Sequence, residues 1–560
     1  MLSGLKVNNE IQVKIIDDGK FSEELATVKK LGGRYQWSDK SWIFDISKED
    51  ELKSCGVTFY DTKMDVKYPV AYVNKDRAPF LRQYQIAPLQ YMLSHNGRIL
   101  LADDVGLGKT LSSIGFFAYT KLNYPLLIVT TASTKSQWEY EYNRFNTWGR
   151  TTHVCEGLQS VGKIDADVVI INYDILSYHV TNEGSKWNPK YVPSEALKAL
   201  KGMEFQGLIL DECQRLKSNT SLWTQAILHL AKDIPYILAL SATPIENKPK
   251  EFYNVLHILR PDIWHNYNSF IYRYCNAHKA YRYIRYGKTK KKQEYIDDTG
   301  ASNQEELFEV LRHHVMFRRK KHEAIEGLPK AIPVTIPLVM ADQDLKTYHD
   351  ILEGNEKIFT KSGKEIAKDN KLVKKNYLKE FSANMKMEYV MQFLTDFLQD
   401  NDEKIVVFTE HHAIIDELYA KFKKHSTIYD GRCSAKEKDA SKSKFIEDPN
   451  CRIIFGQIKA LGEGVDKMQN VCNKMMIVEL PYNPMLIYQA IGRLERIGSN
   501  SDTVTVYFPI LRNTVEEDIM DMITDKTTNL LAILDGKDTE GHNIGKKITD
   551  YLHSKGLDTN

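Results

Sequence analysis

The chain of 560 residues is short of several things that decide a protein's class. Its 7 cysteines include no Cys-x-x-Cys pair, which argues against a zinc ribbon or disulfide framework and for a reducing compartment. No apolar run approaches the roughly 20 residues that span a bilayer, so no membrane partner is expected. Met1 to Asp17 lacks the basic-then-apolar pattern of a secretory signal. An excess of one charge sign is missing as well. With a formal net charge of +2, a polyanion partner must be met by local clusters rather than bulk charge. Two clusters exist, His278 to Lys292 (HKAYRYIRYGKTKKK) and Phe317 to Lys321 (FRRKK). What remains is ordinary for a globular protein, 42% hydrophobic and 27% charged, and long enough for several domains.

Pattern divides the chain at 1–76, 77–245, 246–402, 403–535 and 536–560. The first span is small and aromatic. In it Phe21 to Leu31 predicts a helix stopped by Gly32-Gly33, and Arg34 to Trp37 with Ser41 to Ile46 predicts a hairpin. From 77 to 245, apolar runs of strand length alternate with helical patterns: Ile99 to Leu101, Leu126 to Val129, Val168 to Ile171, Leu208 to Leu210 and Tyr236 to Leu240. The rhythm returns after 403, at Ile405 to Phe408, Ile453 to Phe455, Met475 to Leu480 and Val504 to Tyr507. Continuous apolar runs are the mark of parallel strands covered on both faces. The expected fold class is therefore α/β, with two parallel-sheet lobes and a small α+β N-terminal domain. Residues 246–402 are charged, rich in Lys and Tyr, and expected to be mostly helical, and 536–560 to form a polar tail.

Asp103-Asp104-Val105-Gly106-Leu107-Gly108-Lys109-Thr110 lies between a predicted strand and the helical run Leu111 to Tyr119. That is the setting of a phosphate loop. Gly106 and Gly108 let backbone N–H groups turn onto phosphates, Lys109 supplies a point charge, and the Thr110 hydroxyl suits Mg²⁺. The strand Leu208 to Leu210 ends in Asp211-Glu212, two carboxylates at the strand end where such sheets bind ligands. Asp211 is expected to hold Mg²⁺ and Glu212 to activate the attacking water. Farther on, Gln489 to Gly498 places Arg493 and Arg496 at i and i+3, on one face if the segment is helical. Two such guanidinium groups suit developing charge on a γ-phosphate, and the expected reaction is ATP hydrolysis.

These motifs, in this order, resemble helicase superfamily two, and within it the Swi/Snf-like branch of double-stranded DNA translocases. Leu81-Arg82-Gln83-Tyr84-Gln85 is similar to the branch's opening motif, and Val129 to Ser133 with Gln137-Trp138-Glu139 to motif Ia. Ile171 to Asp174 resembles motif Ib, and Leu240-Ser241-Ala242-Thr243-Pro244 the Ser-Ala-Thr motif. Phe317 to Lys320 with Leu328-Pro329-Lys330 resembles the region joining the lobes, Lys404 to Thr409 motif IV, and Gly462 to Asp466 motif V. Leu480 to Pro484 leads into motif VI. Three departures stand out: Gln214 where many relatives carry His, Glu463 in a usually neutral loop, and Gly492, as in RapA-type remodellers of RNA polymerase. Gly33-Arg34-Tyr35, Trp37 and Ser41 to Phe44 resemble the HARP-type module of annealing helicases.

The resemblance implies two RecA-like lobes with ATP and Mg²⁺ between them. It implies nucleotide contacts from Arg82, Gln85 (to adenine), Asp104, Gly106, Gly108, Lys109, Thr110 and Gly464. Nucleic-acid contacts are implied for Arg34, Tyr35, Trp37, Thr131, Ser133, Lys135, Tyr173, Arg285 and Lys459. The expected activity is ATP-driven movement on duplex DNA that remodels forked or four-way junctions, by a monomer working with replication or recombination proteins. The compartment is then the cytoplasm of a bacterial or phage-infected cell, or the nucleus of a eukaryote. Two alternatives stay open: a RapA-like remodeller of RNA polymerase, and an inactive DNA-binding scaffold. The scaffold predicts losses at the carboxylates or arginines, and none is present. The basic run from Tyr281 to Lys292 reads equally as a DNA-facing loop or a solvated charge run.

Overall fold

The computed structural model describes residues 2–7, 10–15, 21–36, 41–55, 58–61, 78–120, 124–146, 148–185, 189–286, 289–353, 355, 371–462, 467–496, 498–499 and 501–535. The chain separates into two compact units, one of Met1–Lys320 with Asn529–Asp538, the other of Lys321–Thr528 with Thr539–Asn560. No helix among the described residues is long and apolar enough to cross a membrane.

The first unit begins with a five-stranded sheet in the spatial order Arg34–Gln36, Ser41–Asp45, Glu10–Ile15, Leu2–Val7, Thr58–Asp61. The expected helix is present as Phe21–Lys30, and the expected hairpin pairs Tyr35 with Trp42, their ring centroids 5.2 Å apart. Ile11, Val13, Val28, Phe44 and Leu52 form its core. Trp37 lies outside the described residues.

The same unit holds a seven-stranded parallel sheet in the order Met316–Phe317, Arg98–Leu101, Tyr236–Leu240, Gly207–Asp211, Leu126–Thr130, Val168–Asn172, Thr152–Val154. Its five long apolar strands are the five runs legible in the sequence. They are apolar throughout because helices cover both faces. The second unit holds a six-stranded parallel sheet in the order Lys330–Leu338, Thr503–Leu511, Lys474–Ile477, Ile405–Thr409, Ile453–Gln457, Ser426–Tyr429.

Residues 246–402 are less helical than their composition predicts. They contribute an edge strand to each sheet, Met316–Phe317 and Lys330–Leu338, and a long hairpin, His278–Tyr286 with Thr289–Asp297. Lys330–Leu338 carries Pro333 and Pro337, residues that normally demote a run from strand status. Here it pairs along one side only, as the outermost strand, so the missing N–H groups cost no ladder bond. The hairpin replaces the loop expected at Tyr281 to Lys292.

Candidate nucleotide site

The phosphate loop runs from the end of Arg98–Leu101 to the helix Lys109–Thr120. Gly106 and Gly108 sit at φ +92° and +75°, a region side chains with a Cβ disfavour. A Cβ on Gly108 would also stand 2.5 Å from Gln85 Nε2. Gln85 is buried against the loop, where its Nε2 donates to the Gly108 carbonyl at 3.1 Å and its Oε1 accepts from Arg82 N at 3.0 Å. Arg82 itself is exposed. Lys109 Nζ donates to the carbonyls of Asp103 (2.7 Å) and Asp104 (3.3 Å). Thr110 is the second residue of the helix, whose N-terminal dipole favours an anion.

The paired carboxylates stand at the end of Gly207–Asp211, a strand flanked by Leu126–Thr130 and Tyr236–Leu240. Asp211 Oδ2 accepts from Trp138 Nε1 at 2.7 Å and Thr130 Oγ1 at 2.8 Å, and Oδ1 accepts from Glu212 N at 3.1 Å. Glu212 occupies the left-handed region at φ +49°, at a cost of about 1–3 kcal/mol for a residue other than glycine. Its neighbours hold it there. Gln214 Nε2 donates to Glu212 Oε2 at 2.7 Å, and the Tyr173 hydroxyl donates to the Asp211 carbonyl at 2.8 Å. Gln214 thus does for the carboxylate what a neutral amide can do at any pH, without a titrating ring.

Burial, then repulsion from Glu212, pushes the Asp211 carboxyl above the usual range, while Trp138, Thr130 and Lys109 pull it back. Burial likewise pushes the Lys109 ammonium down, opposed by Glu212, Asp103, Asp104 and Asp211. The carboxylates of Asp103, Asp104, Asp211 and Glu212 therefore all lie within electrostatic reach of Lys109.

Two arginines that sequence reasoning assigned to a basic surface lie inside this site instead. Arg318 donates to the carbonyls of Ala102 (2.8 Å) and Ala242 (3.0 Å) and pairs with Asp535 at 2.6 Å. Burial works against its charge, but Asp535 and Asp104 more than offset this and hold it firmly protonated. Arg319 pairs with buried Asp103 at 2.7 Å and donates to the Tyr84 carbonyl at 2.7 Å. The dipeptide thus ties the opening motif, the phosphate loop and the Ser-Ala-Thr segment into one rigid set. A run such as FRRKK reads as a solvated patch because its buried carboxylate partners lie some 200 residues away in sequence.

The other expected residues distribute unevenly. Tyr173 is 0% exposed and its hydroxyl is committed to Asp211, so its place is behind the carboxylates and not on a nucleic-acid surface. Thr131 is buried in a hydroxyl network with Ser133 and Thr134. Ser133 is exposed, and Lys135 Nζ donates to the Cys155 carbonyl at 2.6 Å. Arg34 and Lys459 are exposed, and Tyr35 is half-buried. Gly464 lies outside the described residues; Arg285 is placed as a strand residue, its side chain outside them. In the second unit the helix Pro484–Leu494 ends before Arg496, so Arg493 and Arg496 do not share a helix face as expected. Glu495 ends it: its Oε1 accepts from Ala331 N at 2.8 Å and its carbonyl accepts from Lys321 Nζ at 2.6 Å. Arg496 then folds back, its Nε donating to the Gly492 carbonyl at 3.2 Å.

Comparison with known proteins agrees with the order of motifs. The SNF2-related domain matches residues 84–399 and the helicase conserved C-terminal domain residues 385–498. The chain is 26% identical over 458 residues to the SWI/SNF-related matrix-associated actin-dependent regulator of chromatin subfamily A-like protein 1 of Xenopus tropicalis, covering 80% of this chain and 44% of the relative. It is 26% identical over 464 residues to the human DNA annealing helicase and endonuclease ZRANB3, covering 82% of this chain and 40% of that protein. The chain therefore spans less than half the length of either relative. Among solved structures, the Sulfolobus solfataricus SWI2/SNF2 ATPase core in complex with dsDNA aligns at 23% identity and TM-score 0.37, over 85% of this chain and 96% of that one. With the SNF2-related domain matched over more than half of its length, the chain belongs to the SNF2-related family.

Proposed function

We propose that this chain is a DNA-dependent ATPase that moves along duplex DNA and remodels branched DNA. The observation that carries the reading is the carboxylate pair held at a strand end beside a phosphate loop, with Asp211 oriented by Trp138 and Thr130 and Glu212 by Gln214. Lys109 and the helix N-terminus bind phosphate charge, Gln85 and Arg82 frame the base, and Glu212 takes the proton of the attacking water. Asp211 and the Thr110 hydroxyl are the groups that would hold Mg²⁺. Such an ion takes one or two carboxylates, with phosphate oxygens and water completing its shell, and supplies charge neutralisation on the phosphates. Among the described residues there is no cluster of three or more metal-ligating side chains, and this donor set does not require one. Arg493 and Arg496 are assigned the stabilisation of γ-phosphate charge.

The branched-DNA part of the reading is supported by the annealing-helicase name of one relative and by the exposed Arg34 beside Tyr35 in the N-terminal sheet. The RNA-polymerase alternative gains nothing from either relative. ATP turnover measured on single-stranded, duplex, forked and four-way DNA tests the proposal. Stimulation by duplex and junction DNA is expected, and turnover indifferent to DNA would overturn it.

A further inference from the structure

The hairpin His278–Tyr286 with Thr289–Asp297 is used by none of the chemistry above. Residues 278–297 hold seven Lys and Arg against two Asp and Glu, a net +5 where the whole chain carries +2. Its two faces differ. On one, Arg282 is closed upon its own hairpin, donating to Gln293 at 3.0 Å and standing 5.4 Å from the Tyr295 ring centroid. The other face carries Tyr281 and Tyr283, two residues apart and so on the same side, 54% and 71% exposed. Lys292, directly across from Tyr283, leans onto Tyr281 with its Nζ 3.9 Å from the ring centroid. Lys279 reaches Glu294 on the same face at 3.3 Å. Two exposed aromatic rings side by side, one face of Tyr281 taken by the Lys292 ammonium, have the composition of a stacking platform for nucleic acid.

The root of the hairpin is tied to the motor. Asp298 accepts from Lys250 (2.5 Å) and the Tyr267 hydroxyl (3.0 Å). Lys250 belongs to the turn Pro249–Phe252, whose Glu251 accepts the N–H groups of Glu246 (3.2 Å) and Asn247 (2.9 Å) just after the Ser-Ala-Thr segment.

We propose that the Tyr281–Tyr283 face of this hairpin binds unpaired nucleotides of a branched DNA, stacking bases on the two rings and taking the flanking phosphates on Lys292 and Lys279. Unpaired strand is favoured over duplex because a ring needs an open base face, and inside a duplex those faces are covered by neighbouring pairs. The proposal rests on the branched-DNA reading above and names the strand that the motor would hold.

The test is equilibrium binding of the full chain to a fluorescent oligo(dT) and to a blunt duplex of equal length. Stacking is worth about 1–3 kcal/mol per base, and about 1.4 kcal/mol is tenfold in affinity. Tyr281→Ala with Tyr283→Ala should therefore lower oligo(dT) affinity at least tenfold relative to duplex, and Tyr281→Phe with Tyr283→Phe should restore it. An unchanged ratio overturns the proposal, as does displacement of oligo(dT) by polyglutamate of matched charge at concentrations that leave the Ala variant's binding unaffected. Duplex-stimulated ATP turnover of the parent chain is read separately. Its absence alongside a tenfold shift in the binding ratio overturns the translocase reading and leaves the stacking site standing.

Discussion

The two parallel sheets are the same object built twice. Numbered along the chain within each sheet, both run 1-6-5-2-4-3, the first with one further edge strand beside strand 1. What differs is the ends of strands 1 and 5. After strand 1 of the first sheet come two glycines at positive φ and Lys109; after Lys330–Leu338 come Val339, Met340 and Ala341, with no glycine and no cation. Strand 5 of the first sheet ends at Asp211, which accepts from Thr130 at the end of strand 2. Just past strand 5 of the second sheet stands Glu479, which accepts the N–H groups of Glu410 (2.8 Å) and His411 (2.9 Å) beyond strand 2. One position thus carries an acid in both sheets. In the first, the acid stands next to Glu212, on the strand end where the proposed chemistry would use it. In the second, a 0%-exposed carboxylate side chain pins two loops together.

The largest expected effect is at the arginines. Arg496→Ala should lower kcat by about 10³–10⁵, the range for an arginine finger, with nucleotide affinity retained. A loss of ATP affinity without a fall in kcat would place Arg496 in binding alone and withdraw the proposed finger role.

Next in size is the pair of acids. Glu212→Gln should cost about 10²–10⁴ in turnover while the fold survives. Glu479→Gln should leave turnover per folded molecule intact and lower the urea midpoint, since it weakens charge-assisted bonds worth about 1.5–3 kcal/mol each. Equal losses of turnover in both variants would dissolve the distinction between the two sheets.

The smallest effect is in pH. The hydrogen bond to Glu479, against the opposing effect of burial, raises the His411 imidazole above its ordinary value. Burial alone would push Glu479 up, but His411 and the two N–H groups outweigh it and hold it down. A raised histidine stabilises fully below its unfolded value of about 6.5 and loses that contribution as pH rises through the folded value. The lowered glutamate stabilises above its unfolded value of about 4.3 and loses that contribution as pH falls through the folded value. The pair therefore contributes most between about pH 4.3 and 6.5. The urea midpoint of the second unit should fall between pH 6 and 8.5, and His411→Gln should flatten that slope. An unchanged slope in the variant would mean that the His411–Glu479 pair does not set the pH dependence.

The inner strands of both parallel sheets, the phosphate loop and the Asp-Glu pair were legible in the sequence, because each is a local pattern. A run buried on both faces must be apolar throughout, and a loop that wraps phosphate needs glycine where φ is positive. Lys330–Leu338 escaped because its prolines are harmless only on an edge, and edge status is a property of the sheet. The 3.6-residue period could not show that Glu495 would be drawn away to Ala331, ending the helix before Arg496. Asp211 needed Trp138, Thr130 and Tyr173 brought from three other elements, and Arg318 and Arg319 became clamps only when distant carboxylates closed around them. Local residue types thus marked by themselves the loop proposed to take phosphate, Gly106 to Thr110. Which acid is placed for the proposed chemistry, and which holds two loops, was decided by tertiary contact, since a carboxylate's role follows from the groups that fill its hydrogen bonds and its field, and these are distant in sequence.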